Sequence, residues 1–68
     1  MRSSKRIYPF CNELASIWKD NFPDWRFAQF ISNFMIWMAN TKGIVDPFFI
    51  EDDKFIEWIN EYVKEIKV

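Results

Sequence analysis

Sixty-eight residues with nine basic and ten acidic side chains, a net charge of −1, no histidine and a single cysteine exclude several kinds of protein. Cys11 cannot form an internal disulfide or make a zinc site by itself, and the balanced charge gives no bulk attraction to nucleic acid or anionic lipid. A single domain this short buries only about 60% of its unfolded surface, so half the residues being apolar and 21% aromatic points to a dense core, self-association or both.

Residues 1–6 read as a loose basic arm carrying Arg2, Lys5 and Arg6. No apolar h-region follows Met1, so no signal peptide is expected, and one reduced cysteine suits the cytoplasm. The first helix is predicted over residues 8–20. Pro9 fits its first turn, and Phe10, Leu14, Ile17 and Trp18 recur at helical spacing. Cys11 lies beside that stripe and is expected in the core. Asn21 and Pro23 end the helix.

The second helix is predicted over residues 24–40, with Asp24 as its cap. Phe27, Phe30, Ile31, Phe34 and Met38 form its stripe, and Trp25, Met35, Ile36 and Trp37 widen it almost all round. Such a helix is expected to be central or doubly covered. Gly43, the only glycine, suits a left-handed position at its end. Residues 44–51 are then a hydrophobic ordered loop with a turn at Asp46-Pro47, lying over the helices. The third helix spans residues 52–67. Acidic residues stand at its start and Lys64 and Lys67 at its end, and Phe55, Ile59, Tyr62 and Ile66 line its apolar face. The longest apolar run, Phe34 to Ala39, is far too short for the roughly 20 residues of a membrane span. The expected fold is a compact all-α three-helix domain.

Chemistry is thinly supplied. Without histidine the usual general base is missing, so no enzyme and no cofactor are expected. Glu51, Asp52 and Asp53 sit at a helix start, where carboxylates cap amides, and they lack the alternating ligands and mid-loop glycine of a calcium loop. Arg26, Gln29, Asn33 and Asn40 share one side of the second helix. Flanked by aromatics, they suggest a half-buried polar network of Asp24, Arg26, Gln29 and Asn33 with Glu51 and Asp52, in which the guanidinium meets a carboxylate. A solvated edge and a ligand site are the alternatives.

"KRIYPFCNELASIW", "PDWRFAQFISN" and "DPFFIEDD" together resemble short uncharacterised bacterial and phage proteins of the YihD-like domain of unknown function. That family carries a Lys-Arg-Ile start, a Trp ending the first helix, then Pro-Asp-x-Arg-x-x-Gln and Asp-x-Phe-x-x-Glu-Asp segments. Pro23, Asp24, Arg26 and Gln29 fit the former segment, and Asp46, Phe48, Glu51 and Asp52 the latter. Trp25, Phe27, Phe30 and Trp37 depart from it, standing where smaller aliphatics are expected. The resemblance implies no activity. It implies a bacterial or mobile-element setting, where a small protein binds and modulates a host complex, a defence complex for example.

The expected role is therefore a cytoplasmic protein-interaction module, with self-association as one form of it. Trp25, Trp37, Phe49 and Trp58 are the candidate contact surface, since aromatics concentrate binding energy. A nucleic-acid accessory protein using Arg2, Lys5, Arg6, Arg26 and Lys42 is the alternative. It is weak, because a DNA-binding face normally makes several phosphate contacts and the second helix offers only Arg26 along its length before Lys42.

Overall fold

The computed structural model describes residues 3–67. Three helices form an all-α domain: α1 (Ile7–Asn21), α2 (Phe27–Lys42) and α3 (Asp52–Lys67). Two 3₁₀ turns, Ser4–Arg6 and Pro47–Phe49, lead into α1 and bridge α2 to α3. Among the described residues there is no strand, and no helix is long and apolar enough to cross a membrane.

Within the basic segment predicted as a loose arm, Ser4–Arg6 form a 3₁₀ turn. The Ser3 hydroxyl accepts from the Lys5 amide at 3.2 Å, and the Arg6 guanidinium donates to Asp52 at 2.6 Å. Arg2 lies outside the described residues. Helix α1 ends where expected, by a mechanism the breaker residues only hint at. The Phe22 amide donates to the Trp18 carbonyl at 2.8 Å and the Asn21 side chain to the Ile17 carbonyl at 2.8 Å, so the last orphan carbonyls are satisfied locally.

Helix α2 begins three residues later than predicted, and Asp24 is not its cap. A tight turn closes from the Phe22 carbonyl to the Trp25 amide (3.1 Å), leaving Pro23 and Asp24 exposed at its tip. The Trp18 indole N–H then donates to the Trp25 carbonyl at 2.9 Å. That carbonyl is the acceptor a helix starting at Asp24 would need for its own first turn. Arg26 instead takes the extended cap position, φ −69° and ψ 154°, and its amide donates to the Gln29 carboxamide at 3.3 Å. A guanidinium has only donors, so the reciprocal half of a capping box does not form. At the other end Gly43 occupies the left-handed region, φ 71°, as its placement in the sequence implies.

The core is built mainly between α2 and α3. Phe30, Phe34 and Met38 of α2 and Ile59 of α3 are completely buried, with Ile56 and Tyr62 beside them. From α1 and the turn after it, only Ile17 and Phe22 are fully inside. Aromatic rings knit the layers. Phe34 meets Phe55 edge-on at 5.2 Å and Tyr62 at 5.7 Å, and Phe22 stacks on Trp25 at 4.3 Å with the planes only 8° apart. Burial pushes the Tyr62 phenol above its usual 10.0. Its raised folded value means that its contribution is whole below about pH 10 and falls as pH climbs further, because the unfolded chain ionises first.

The domain measures 37 × 27 × 19 Å. Its thin dimension is two helix layers, since one helix with side chains is about 10 Å across. Helix α3 packs against both α1 and α2. Helix α2 also meets α1, where the Trp18 ring lies against Phe27 and Phe30, but it is not covered all round. The outer face of α2 stays open, with Ala28, Ser32, Met35 and Ile36 exposed. Cys11 is exposed as well. It sits beside the stripe of Phe10, Leu14 and Trp18, whose members are themselves only partly buried.

Candidate functional site

The residues expected to form one polar network are apart. Asp24, Arg26 and Gln29 are exposed, Asn33 is half-buried, and no carboxylate among the described residues pairs with Arg26. Asp52 pairs with Arg6, both side chains about two-fifths exposed. Glu51 is exposed and engaged elsewhere. The polar line on α2 is a solvated edge, and neither of the clefts described below is lined by it. The delayed start of α2 explains the separation: Arg26 serves as a backbone cap at the end of the domain formed by residues 22–26.

The candidate contact aromatics divide differently. Trp25 is half-buried by its stack on Phe22. Trp37 is half-buried against Phe34 and Tyr62, and its indole N–H donates to Glu65 at 3.0 Å. Trp58 is half-buried too. The Lys42 ammonium lies 5.8 Å from the Trp37 ring centre and 5.7 Å from that of Trp58, and bonds Glu61 at 2.9 Å. Of the four, only Phe49 is fully displayed, 83% exposed.

Two neighbours of Phe49 are displayed as strongly: Val45 at 86% and Phe48 at 80%. The segment 44–51 therefore does not lie over the helices. Ile44 and Ile50 anchor its two ends against the core. Between them Asp46 caps the 3₁₀ turn, its carboxylate accepting from the Phe48 amide at 3.0 Å, and the Ile50 amide donates to the Pro47 carbonyl at 3.1 Å. Consecutive residues of a 3₁₀ turn point about 120° apart. Phe48 and Phe49, in edge-on contact at 4.9 Å, cannot both face inward, and here both face solvent. Asp-Pro followed by two aromatics was the sequence signal for this display, and it is easily mistaken for a buried hydrophobic loop.

Beside this segment is a cleft of about 510 Å³, floored by Ile44, Phe49, Ile50 and Trp58. Asp46, Glu51 and Asp53 stand around it, together with Lys54, whose ammonium bonds Glu57 at 2.7 Å. That hydrogen bond, with the Glu57 charge, raises the Lys54 pKa. A shallower depression of about 370 Å³ lies across the start of α3, between Pro9, Phe10 and Ile56, with Glu13, Asp52 and Asp53 at its edge. Among the described residues no group of three His, Cys, Asp or Glu side chains is placed to hold a metal ion.

The cations proposed for nucleic acid do not converge. Arg6 and Lys42 are held in ion pairs, Arg26 is at another part of the fold, and Lys5 is exposed within the 3₁₀ turn. No family model, no curated protein and no solved structure matches the chain. The resemblance to the YihD-like domain thus stands on its motif residues alone.

Proposed function

We propose that the chain is a small cytoplasmic protein-interaction module whose contact surface is the displayed segment Val45–Phe49 with the adjoining Trp58 cleft. The observation that carries this is the exposure of Val45, Phe48 and Phe49 on a segment pinned at both ends. A contiguous apolar patch costs solubility and marks an interface in most soluble domains. Pinning reduces the ordering cost that a flexible aromatic loop would incur on binding. The residues nominated from sequence contribute unequally: Phe49 and Trp58 belong to this surface, whereas Trp25 and Trp37 serve packing. We assign it no catalytic activity. Resemblance to short bacterial and phage proteins supports a host protein complex as the target, with inhibition of a defence complex as one form of that role.

The test is a comparison of the wild-type chain with Phe48→Ser/Phe49→Ser in pull-downs from bacterial extract, with light-scattering mass measured for both. The wild type should retain a protein that the double variant loses. Identical captures by the two proteins, or salt-sensitive binding to duplex or single-stranded DNA in their place, would contradict the proposal and favour the nucleic-acid alternative.

A further inference from the structure

We infer that the Trp58 cleft takes a basic, apolar-anchored segment of a partner protein: one large aliphatic or aromatic side chain flanked by lysines or arginines. This rests on the interaction-module reading and adds the chemistry of the partner.

The floor supplies the apolar half of the match. Ile44, Phe49, Ile50 and Trp58 surround about 510 Å³, within the range of ligand-sized clefts. The rim supplies the charge. Asp46 and Asp53 each use one carboxylate oxygen on a nearby backbone amide, and neither has an ion-pair partner among the described residues. The cations shown beside the cleft are both neutralised: Lys54 by Glu57, and Lys42, whose ammonium lies 5.7 Å from the Trp58 ring centre, by Glu61. Asp53 also borders the second depression, where Glu13 adds another carboxylate. The apolar cleft therefore opens through a net negative rim. Such a rim raises the encounter rate with a cationic segment and penalises an anionic one, while the apolar anchor supplies most of the affinity.

A second copy of this chain is the competing occupant, because Ile66 is half exposed between Lys64 and Lys67. Several observations favour a different protein. Lys67 already lies over the Phe22 ring at 5.6 Å, and Glu65, between the lysines, accepts from Trp37. Seating the end of α3 in the cleft at the start of another α3 is also a head-to-tail contact, which propagates into open filaments unless its rotation closes a ring.

The experiment uses the full chain, ¹⁵N-labelled, titrated with three synthetic peptides. One has a Leu-Phe pair between two Lys pairs, the next replaces every Lys by Glu, and the last keeps the lysines but replaces Leu-Phe by Gly-Gly. The first should shift the amides of residues 44–54 and the Trp58 indole, and bind at least about tenfold more tightly than either of the others. Asp46→Asn/Asp53→Asn should remove most of that preference. Asparagine preserves the Asp46 cap, so an unchanged starting spectrum establishes that the variant is folded. Arg26→Ala, remote from the cleft, should bind like the wild type. Equal binding of the Glu peptide at the same residues overturns the charge assignment but leaves the interaction module standing. Equal binding of the Gly-Gly peptide overturns the apolar anchor, and concentration-dependent shifts at residues 44–58 without peptide assign the cleft to a second copy. No shift with any peptide overturns the inference. If Phe48→Ser/Phe49→Ser also leaves the captured proteins unchanged, the module reading falls with it.

Discussion

The chain contains two proline turns flanked by aromatics, "FPDWRF" and "VDPFFI", and they meet opposite fates. In the former, Phe22 is buried and stacked on Trp25, and the Trp25 carbonyl is held by the Trp18 indole. In the latter, Phe48 and Phe49 stand in solvent. Hydrophobicity does not separate them. The order of Pro and Asp does, through the backbone. Asp46 precedes Pro47, so its carboxylate reaches the Phe48 amide and sets a 3₁₀ turn that projects the rings. Asp24 follows Pro23 and caps nothing, and the turn there is closed by backbone and indole hydrogen bonds that draw the rings inward. One aromatic turn is part of the core, and the other is available for contact.

The largest expected effect belongs to the core beside the first turn. Phe34→Ala removes a fully buried ring touching Trp37, Phe55 and Tyr62 and should cost about 3–5 kcal/mol. In so small a domain that approaches the whole folding free energy, so loss of the cooperative urea transition by circular dichroism is expected. A transition close to that of the wild type would mean that α2 does not bury the face described. Next comes Trp18→Phe, which keeps a ring against Phe27 and Phe30 but leaves the Trp25 carbonyl without its donor. It should cost about 1–3 kcal/mol in urea unfolding. A change of a few tenths would show that the indole bond does not hold the turn.

How much of this was visible in the sequence follows the same division. The three helices were legible because their apolar positions repeat at helical spacing and Gly43 marks an end. The start of α2 was not, because it depends on an indole seven residues upstream taking a carbonyl. The polar line of Arg26, Gln29 and Asn33 was legible as a line, but its partner was not. Pairing Arg26 with Glu51 or Asp52 needs the relative placement of two ends of the fold, and the structure gives Asp52 to Arg6 instead. Exposure of Cys11 and of the outer face of α2 was hidden for a related reason. A two-layer domain only 19 Å thick covers each helix less fully than its sequence suggests.

Smaller effects sharpen the contrast. The Arg6–Asp52 pair joins the start of the chain to α3 across 46 residues. A double-mutant cycle with Arg6→Ala and Asp52→Ala should return a coupling of about 0.2–1 kcal/mol, diminished by salt, because both side chains are well exposed. A coupling that is larger and indifferent to salt would place the pair in a buried setting. Smallest of all, Phe48→Ser/Phe49→Ser should shift urea stability by no more than about 0.5 kcal/mol, since neither ring is packed on the core. A loss comparable to that of Trp18→Phe would make the second turn structural.

The most direct test of the division between core and contact aromatics is hydroxyl-radical footprinting of the native chain, read residue by residue by mass spectrometry. Phe48 and Phe49 should oxidise at nearly the rate of the urea-unfolded chain, while Phe30 and Phe34 remain protected in the same sample. Equal protection of all four rings at low protein concentration would contradict the account, because it would put the Val45–Phe49 segment inside the fold.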